Sequence, residues 1–138
     1  MGHHACVRSW RVLLVVLGVV GCSGQQHLDA DDLASEHKAL IALTAESALL
    51  AHYAAEGRAT SAYLHGHADY LRREFEEREE KLSKLGSAGK VGALRDDIAI
   101  AGPNLGRMSK GASLAELTMS AERLDHLVIE IRSEREFR

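Results

Sequence analysis

Histidine and carboxylate residues four apart occur in this sequence, and two such pairs are candidates for metal chemistry. The pairs are His52 with Glu56 and His65 with Asp69. Residues four apart share one face of an α-helix, so each pair could present an imidazole and a carboxylate together. Helical bundles build metal sites from such side chains on neighbouring helices. The four residues therefore form a candidate metal site, and surface contacts along single helices are the alternative.

Other polar and aromatic residues lie near these pairs in the sequence. Glu46 is a further candidate ligand, and His67 falls at helical spacing among apolar residues. For His67 we expect a packed core histidine with a polar neighbour, although a ligand role is the alternative. Tyr63 and Tyr70 are one heptad apart, and we expect them to pack in the core rather than to line a slot for a small ligand.

Motifs for nucleophilic or phosphate chemistry are not evident. The sequence contains no Gly-x-Ser-x-Gly elbow, and its glycine-rich stretches match neither the P-loop nor the dinucleotide fingerprint. We therefore expect a protein that is not an enzyme.

The charge balance argues against nucleic acid as a partner. The chain has 17 basic and 20 acidic residues, a net charge of −3. Arg8 and Arg11 are the only arginine or lysine residues before Cys22, and no acidic residue precedes it. The chain from Cys22 onward would therefore carry 15 basic and 20 acidic residues, a net −5. Nucleic-acid binding needs a basic surface for the phosphates, which this balance does not provide.

The first 21 residues have the three-part layout of a secretory signal. Arg8 and Arg11 precede an apolar run over residues 12–20, and Gly21 and Cys22 follow it. The run is about half the roughly 20 residues that a transmembrane helix requires, so we expect a cleaved signal rather than a membrane span.

At the end of the apolar run, Val19-Val20-Gly21-Cys22 resembles the lipobox of bacterial lipoproteins. The resemblance covers about the first 23 residues. It implies cleavage before Cys22, a diacylglycerol on the Cys22 thiol and an acylated amine, which together would anchor the chain durably. Ser23 stands where aspartate would signal retention in the inner membrane, so the resemblance implies the periplasmic face of the outer membrane. The alternative is that Cys22 is an ordinary small apolar residue.

The remaining sequence predicts a small all-α domain. Proline occurs once and aromatic residues make up 4% of the chain, which favours helices over sheets. We expect a lipidated cysteine and flexible tether over residues 22–30, followed by one helical domain over residues 31–138. The fold class is a bundle of three or four long antiparallel helices. Because Cys6 leaves with the signal and Cys22 carries lipid, no disulfide is expected.

The pattern predicts the individual helices as follows. A helix begins near Leu33, and the lack of a proline or polar loop favours its continuation to about Leu85, with a break at Gly57 as the alternative. A short helix then ends at the turn Gly102-Pro103-Asn104, and residues 105–111 form a loop or a single helical turn. Ser113 and Glu116 have the spacing of a capping box and open the last helix. The predicted buried stripes are Tyr63, Leu64, His67, Tyr70, Leu71, Phe75, Leu82 and Leu85, and then Leu114, Leu117, Ala121, Leu124, Val128 and Ile131.

These observations favour a membrane-anchored, extracytoplasmic and non-enzymatic helical module of the bacterial cell envelope. We expect it to act through contacts with other envelope proteins or through self-association. The alternative is a periplasmic metal-binding protein that uses His52, Glu56, His65 and Asp69, with His67 as a further ligand.

Overall fold

Four α-helices make up residues 30–133, the part of the chain that the computed structural model describes. They are α1 (Ala30–Ala55), α2 (Ser61–Ser83), α3 (Gly89–Ser109) and α4 (Leu114–Ser133), and no strand occurs in this range. The prediction of an all-α bundle is confirmed. The predicted signal, Cys22 and the tether up to residue 29 lie outside the described residues.

The first helix is the centre of the bundle. It packs most extensively against α4 and also contacts α2 and α3, while α2 packs mainly against α3. The core lies between the four helices, and its largest fully buried side chains include Phe75, Leu40, Leu71, Leu94 and Leu124. Among the described helices, none combines the length and the hydropathy that a bilayer crossing requires.

The chain reverses between α1 and α2 through a glycine-based helix end. Gly57 has a φ of +70°, and its N–H donates to the Ala54 carbonyl at 3.0 Å. The N–H of Arg58 donates to the Tyr53 carbonyl at 2.9 Å. These two bonds form a Schellman motif, which satisfies carbonyls that have no partner within the helix. Thr60 then caps α2, since its hydroxyl accepts from the N–H of Tyr63 at 3.2 Å.

The preference for one continuous helix from Leu33 to Leu85 is therefore wrong. Neither a proline nor a long polar loop is needed, because Gly57 adopts the left-handed conformation at little cost and Thr60 restarts the helix. The resulting antiparallel α2 can place Leu64, Leu71 and Phe75 on the core, which a straight continuation of α1 could not do.

The third helix runs through its proline, so the predicted turn at Gly102-Pro103-Asn104 and the predicted loop over residues 105–111 are both wrong. A proline inside a helix costs about 3 kcal/mol. Leu105 and Met108 continue the buried stripe of Leu94 and Ile98 and are almost fully buried. Each such side chain contributes roughly 1.5–3 kcal/mol, so packing outweighs the local penalty.

A buried polar cluster follows Pro103. The Asn104 side-chain amide donates to the Ile100 carbonyl at 2.8 Å, and its Oδ1 accepts from Arg107 at 2.6 Å. The Ser120 hydroxyl of α4 also donates to that Oδ1, at 3.4 Å. Asn104 and Ser120 are both buried, so these bonds supply the partners that buried polar groups need and connect α3 to α4.

The predicted capping box at the start of α4 is confirmed. The Ser113 backbone N–H and hydroxyl donate to Glu116 Oε2 at 2.8 and 2.7 Å, and the Glu116 N–H donates back to the hydroxyl at 3.4 Å. The hydrogen bond from the Ser113 side chain, followed by that from its backbone, lowers the pKa of Glu116. Leu114 was predicted to be buried but is exposed, because the first residue of α4 lies beyond the edge of the core.

Alanine substitutions at Gly57 and Gly66 test the reversal at Gly57, because they should change the free energy of unfolding in opposite directions. Gly57→Ala should destabilise the chain by about 1–2 kcal/mol, because an L-residue is disfavoured at positive φ. Gly66→Ala should stabilise it by up to about 1 kcal/mol, because Gly66 lies inside α2 with open space around its Cα. Urea-induced unfolding followed by circular dichroism measures both. If Gly57→Ala instead stabilised the chain as Gly66→Ala does, the result would contradict the helix break at Gly57 and support one continuous helix.

Candidate functional site

An open groove of about 570 Å³ lies between α1 and α2, beside the turn that joins them. We call it the α1–α2 groove. Helix α1 contributes Glu46, Leu49, Leu50 and Tyr53, and the turn with α2 contributes Arg58, Ala59, Thr60, Tyr63 and His67. A groove of this size, lined by apolar and aromatic side chains with a few polar groups, has the usual character of a binding site.

The turn itself builds one end of the groove. The Schellman motif places Arg58 next to Tyr53, and the Arg58 guanidinium carbon lies 4.3 Å from the centre of the Tyr53 ring. That distance is within the range of a cation–π interaction. Arg58 Nη1 also donates to Glu56 at 3.1 Å. The hydrogen bond to Glu56 is the largest of the causes that raise the pKa of Arg58 above its ordinary value.

The other end of the groove contains a hydrogen bond between helices. His67 Nε2 of α2 donates to Glu46 Oε1 of α1 at 3.0 Å. The His67 ring stacks on Tyr63, with 5.4 Å between ring centres and 10° between planes, and Tyr70 lies on its other side at 5.8 Å. The polar neighbour expected for His67 is therefore Glu46, although the side chain keeps 26% of its surface exposed.

The prediction that Tyr63 and Tyr70 pack in the core is wrong. Tyr63 is 56% exposed and Tyr70 is 45% exposed. Both lie on the flank of α2 next to α1, while Leu64, Ala68 and Leu71 occupy the core-facing positions. Leu49 and Tyr53 of α1 are exposed as well. These four side chains form an apolar, largely aromatic surface around the groove.

The charges in and next to the groove do not fully cancel. The Arg58 guanidinium is paired with the Glu56 carboxylate, so these two neutralise each other. Glu46 accepts a hydrogen bond from the imidazole of His67. The groove and the turn beside it therefore contain two carboxylates and one guanidinium, next to exposed tyrosine rings.

The four candidate metal ligands are not brought together. His52 Nε2 donates to Asp125 of α4 at 2.8 Å, and Glu56 is instead paired with Arg58. His65 Nδ1 donates to the Ser109 carbonyl of α3 at 2.7 Å. The predicted proximity of His65 and Asp69 is seen, with 3.5 Å between Nε2 and Oδ2. His52 and His65 thus contact different neighbouring helices.

This arrangement makes the histidines contacts between helices. His37, which is buried, donates from Nε2 to the Ile131 carbonyl of α4 at 2.8 Å and so follows the same pattern. Within residues 30–133, no three side chains of histidine, cysteine, aspartate or glutamate are placed to share a metal ion. The same residue types that indicated a metal site in the sequence therefore connect α1 to α4, α1 to α2, and α2 to α3.

The groove uses its small-side-chain hydroxyl for helix capping. Its one hydroxyl on a small side chain, that of Thr60, accepts the capping bond of α2. Two Ser-x-x-Lys spacings occur elsewhere, at Ser35 with Lys38 and at Ser87 with Lys90, and all four residues are exposed. An activated lysine requires a desolvated position, which these surface residues do not have.

Sequence reasoning missed Leu49, Leu50 and Ala59 of the groove lining. It also missed Tyr53, Arg58 and Thr60. Their joint position depends on the left-handed conformation of Gly57. The sequence signal that could have found Tyr53 and Arg58 is their position on either side of Gly57. A Schellman motif places the residue after the glycine next to the residue four positions before the glycine.

Comparison with known proteins yields no matching family model, no matching curated protein and no matching solved structure.

A double-mutant cycle tests the hydrogen-bonded pair at the end of the groove. Glu46→Ala and His67→Ala should show a coupling free energy of a few tenths to about 1 kcal/mol, as expected for a partly exposed pair. Chemical denaturation of the wild type, both single variants and the double variant gives this value. Glu46→Ala combined with His52→Ala is the matched control, because His52 is paired with Asp125 instead. Equal coupling in both cycles would contradict a direct bond between Glu46 and His67.

Proposed function

We propose that this chain is a lipid-anchored, non-enzymatic binding module of the bacterial cell envelope that contacts a partner protein through the α1–α2 groove. The observation that carries the binding role is the exposed aromatic surface around the groove, formed by Leu49, Tyr53, Tyr63 and Tyr70. Clustered apolar side chains at the surface of a small domain are typical of interaction sites, whereas scattered ones are not.

The composition of the groove also supports a protein partner. Tyrosine and arginine are enriched in the contact regions of protein interfaces, and tyrosine adds a large contact area with a polar end. The groove has two tyrosines, one arginine and an exposed leucine within its lining. A partner could bury the apolar faces of these residues while the hydroxyl groups stay hydrated.

The anchor is supported by the resemblance of residues 19–22 to a lipobox. From Cys22 to Ala30 the backbone extends at most about 28 Å, at roughly 3.5 Å per residue. Along α1, Glu46 to Tyr53 then lie about 24–35 Å beyond Ala30, at 1.5 Å per residue. An anchor at Cys22 and a groove at the far end of α1 would therefore leave the groove accessible to a protein partner.

The mass of the protein purified from bacterial membranes tests the anchor. We expect a chain that begins at Cys22 and carries the added mass of two or three acyl groups. The Cys22→Ser variant should lose this mass and leave the membrane fraction, because a chain without acyl groups has no durable anchor. Recovery of an unlipidated wild-type chain from the membrane fraction would contradict the proposal.

Photo-crosslinking in intact cells tests the role of the groove. A photoreactive phenylalanine analogue at Tyr63 should give a discrete adduct with another envelope protein, because Tyr63 lies in the groove wall. The control position is Ile129, which is 64% exposed on α4 and lies outside the groove. An identical adduct pattern at both positions, or no adduct at Tyr63, would exclude the groove as the contact surface.

A further inference from the structure

We propose that the α1–α2 groove accepts an arginine side chain of the partner protein, with its guanidinium between Glu46 and the exposed face of Tyr63 and its flanking residues on Leu49. This inference rests on the proposed function and names the chemistry of the contact. Three observations carry it: the net charge of the groove, the exposed aromatic faces, and the guanidinium that the chain itself places on Tyr53.

The net charge of the groove favours a cationic occupant. Arg58 is paired with Glu56 at 3.1 Å, so the groove and its turn contain one more carboxylate than guanidinium groups, and the partner of Glu46 is the His67 imidazole. Glu46 keeps 46% of its side-chain surface exposed, so an incoming donor can reach its carboxylate without breaking the bond to His67. The whole chain is also acidic, with a net charge of −3. A negatively charged partner group would meet repulsion both locally and at long range.

The aromatic walls favour a planar cation. Cations are attracted to the faces of tyrosine rings, and arginine combines this attraction with stacking and a weakly hydrated guanidinium. Arg58 over Tyr53 demonstrates this contact inside the same groove, at 4.3 Å from the ring centre. The Tyr63 ring stacks on His67 on one side and is 56% exposed, so it leaves surface for a second contact.

The dimensions of the groove fit a side chain with apolar neighbours. Glu46 and Tyr53 are seven residues apart on α1, which separates the Glu46 end from the Arg58 end by about 10 Å. Leu49 and Leu50 line the space between the two ends. A guanidinium at Glu46 therefore lies far enough from Arg58 to avoid close repulsion, and an adjacent apolar residue of the partner can cover the leucines.

Binding of matched tripeptides to the full chain in detergent micelles tests this proposal. The probes are Ac-Leu-Arg-Leu-NH2, its citrulline analogue, which is a neutral isostere of arginine, and the corresponding glutamate peptide. Saturation-transfer NMR gives the dissociation constants. We expect the arginine peptide to bind at least about fivefold more tightly than the citrulline peptide, and the glutamate peptide to bind most weakly.

Three variants locate the selectivity. Glu46→Gln preserves the size of the side chain and should bring the arginine-to-citrulline ratio close to one. Tyr63→Leu should weaken arginine binding several-fold, because it removes the ring face. Glu122→Gln removes a carboxylate from the exposed surface of α4 and should leave the ratio unchanged. Circular dichroism of each variant ensures that only folded proteins are compared.

Several results would overturn the proposal. Equal binding of the arginine and citrulline peptides would exclude recognition of charge, and preference for the glutamate peptide would make Arg58 the selecting residue. Retained selectivity in Glu46→Gln would place the cation elsewhere. Binding of free benzamidine without binding of the arginine peptide would indicate a small-molecule site. A crosslink at Tyr63 without peptide selectivity would leave the binding module intact and reject only the arginine.

Discussion

The reversal of the chain at Gly57 is the constraint on which the groove and much of the bundle depend. The positive φ at this position is unfavourable for any L-residue with a Cβ. The end of α1 is therefore specified by glycine, the one residue type without a Cβ. The same two backbone hydrogen bonds that end α1 place Arg58 on the ring of Tyr53. The end of the helix and one end of the binding groove are thus a single local structure.

The packing of α1 explains why the groove stays open. Helix α1 contacts α4 more extensively than it contacts α2, and the alanine-rich faces of α1 allow this close approach. Contacts between long polar side chains instead span the space between α1 and α2. Examples are Arg78 with Glu36 at 2.8 Å and His67 with Glu46 at 3.0 Å. Polar bridges at these distances hold two helices in register while leaving room for a groove at the surface.

The all-α class and the start of α4 could be predicted because each depends on local signals. Composition favours helices, and Ser113 and Glu116 need only each other to form the capping box. The continuation of α3 through Pro103 could not be predicted in this way, since it depends on the burial of Leu105 and Met108 by other helices. Local penalties are visible in a sequence, but the tertiary contacts that outweigh them are not.

The candidate site was less predictable than the fold. Periodicity placed Tyr63 and Tyr70 in the core because it treats a tyrosine at helical spacing as an apolar residue. In the structure both rings lie on the flank of α2, where aliphatic residues already fill the core. The partners of the histidines were also out of reach of helical spacing. His52 pairs with Asp125, which is 73 residues away in the sequence, whereas helical spacing relates only residues three or four apart.

The proline in α3 has a consequence for how the bundle opens. Pro103 has no N–H, so the Ala99 carbonyl lacks its usual partner and faces solvent at an exposed position. Before this gap, Arg95 connects α3 to Glu79 of α2 at 2.7 Å, and after it, Asn104 connects α3 to Ser120 of α4. The two halves of α3 therefore belong to different packing units. Local opening at Ala99 is confined between these contacts, and the backbone amides beside the gap exchange with water before those nearer the contacts.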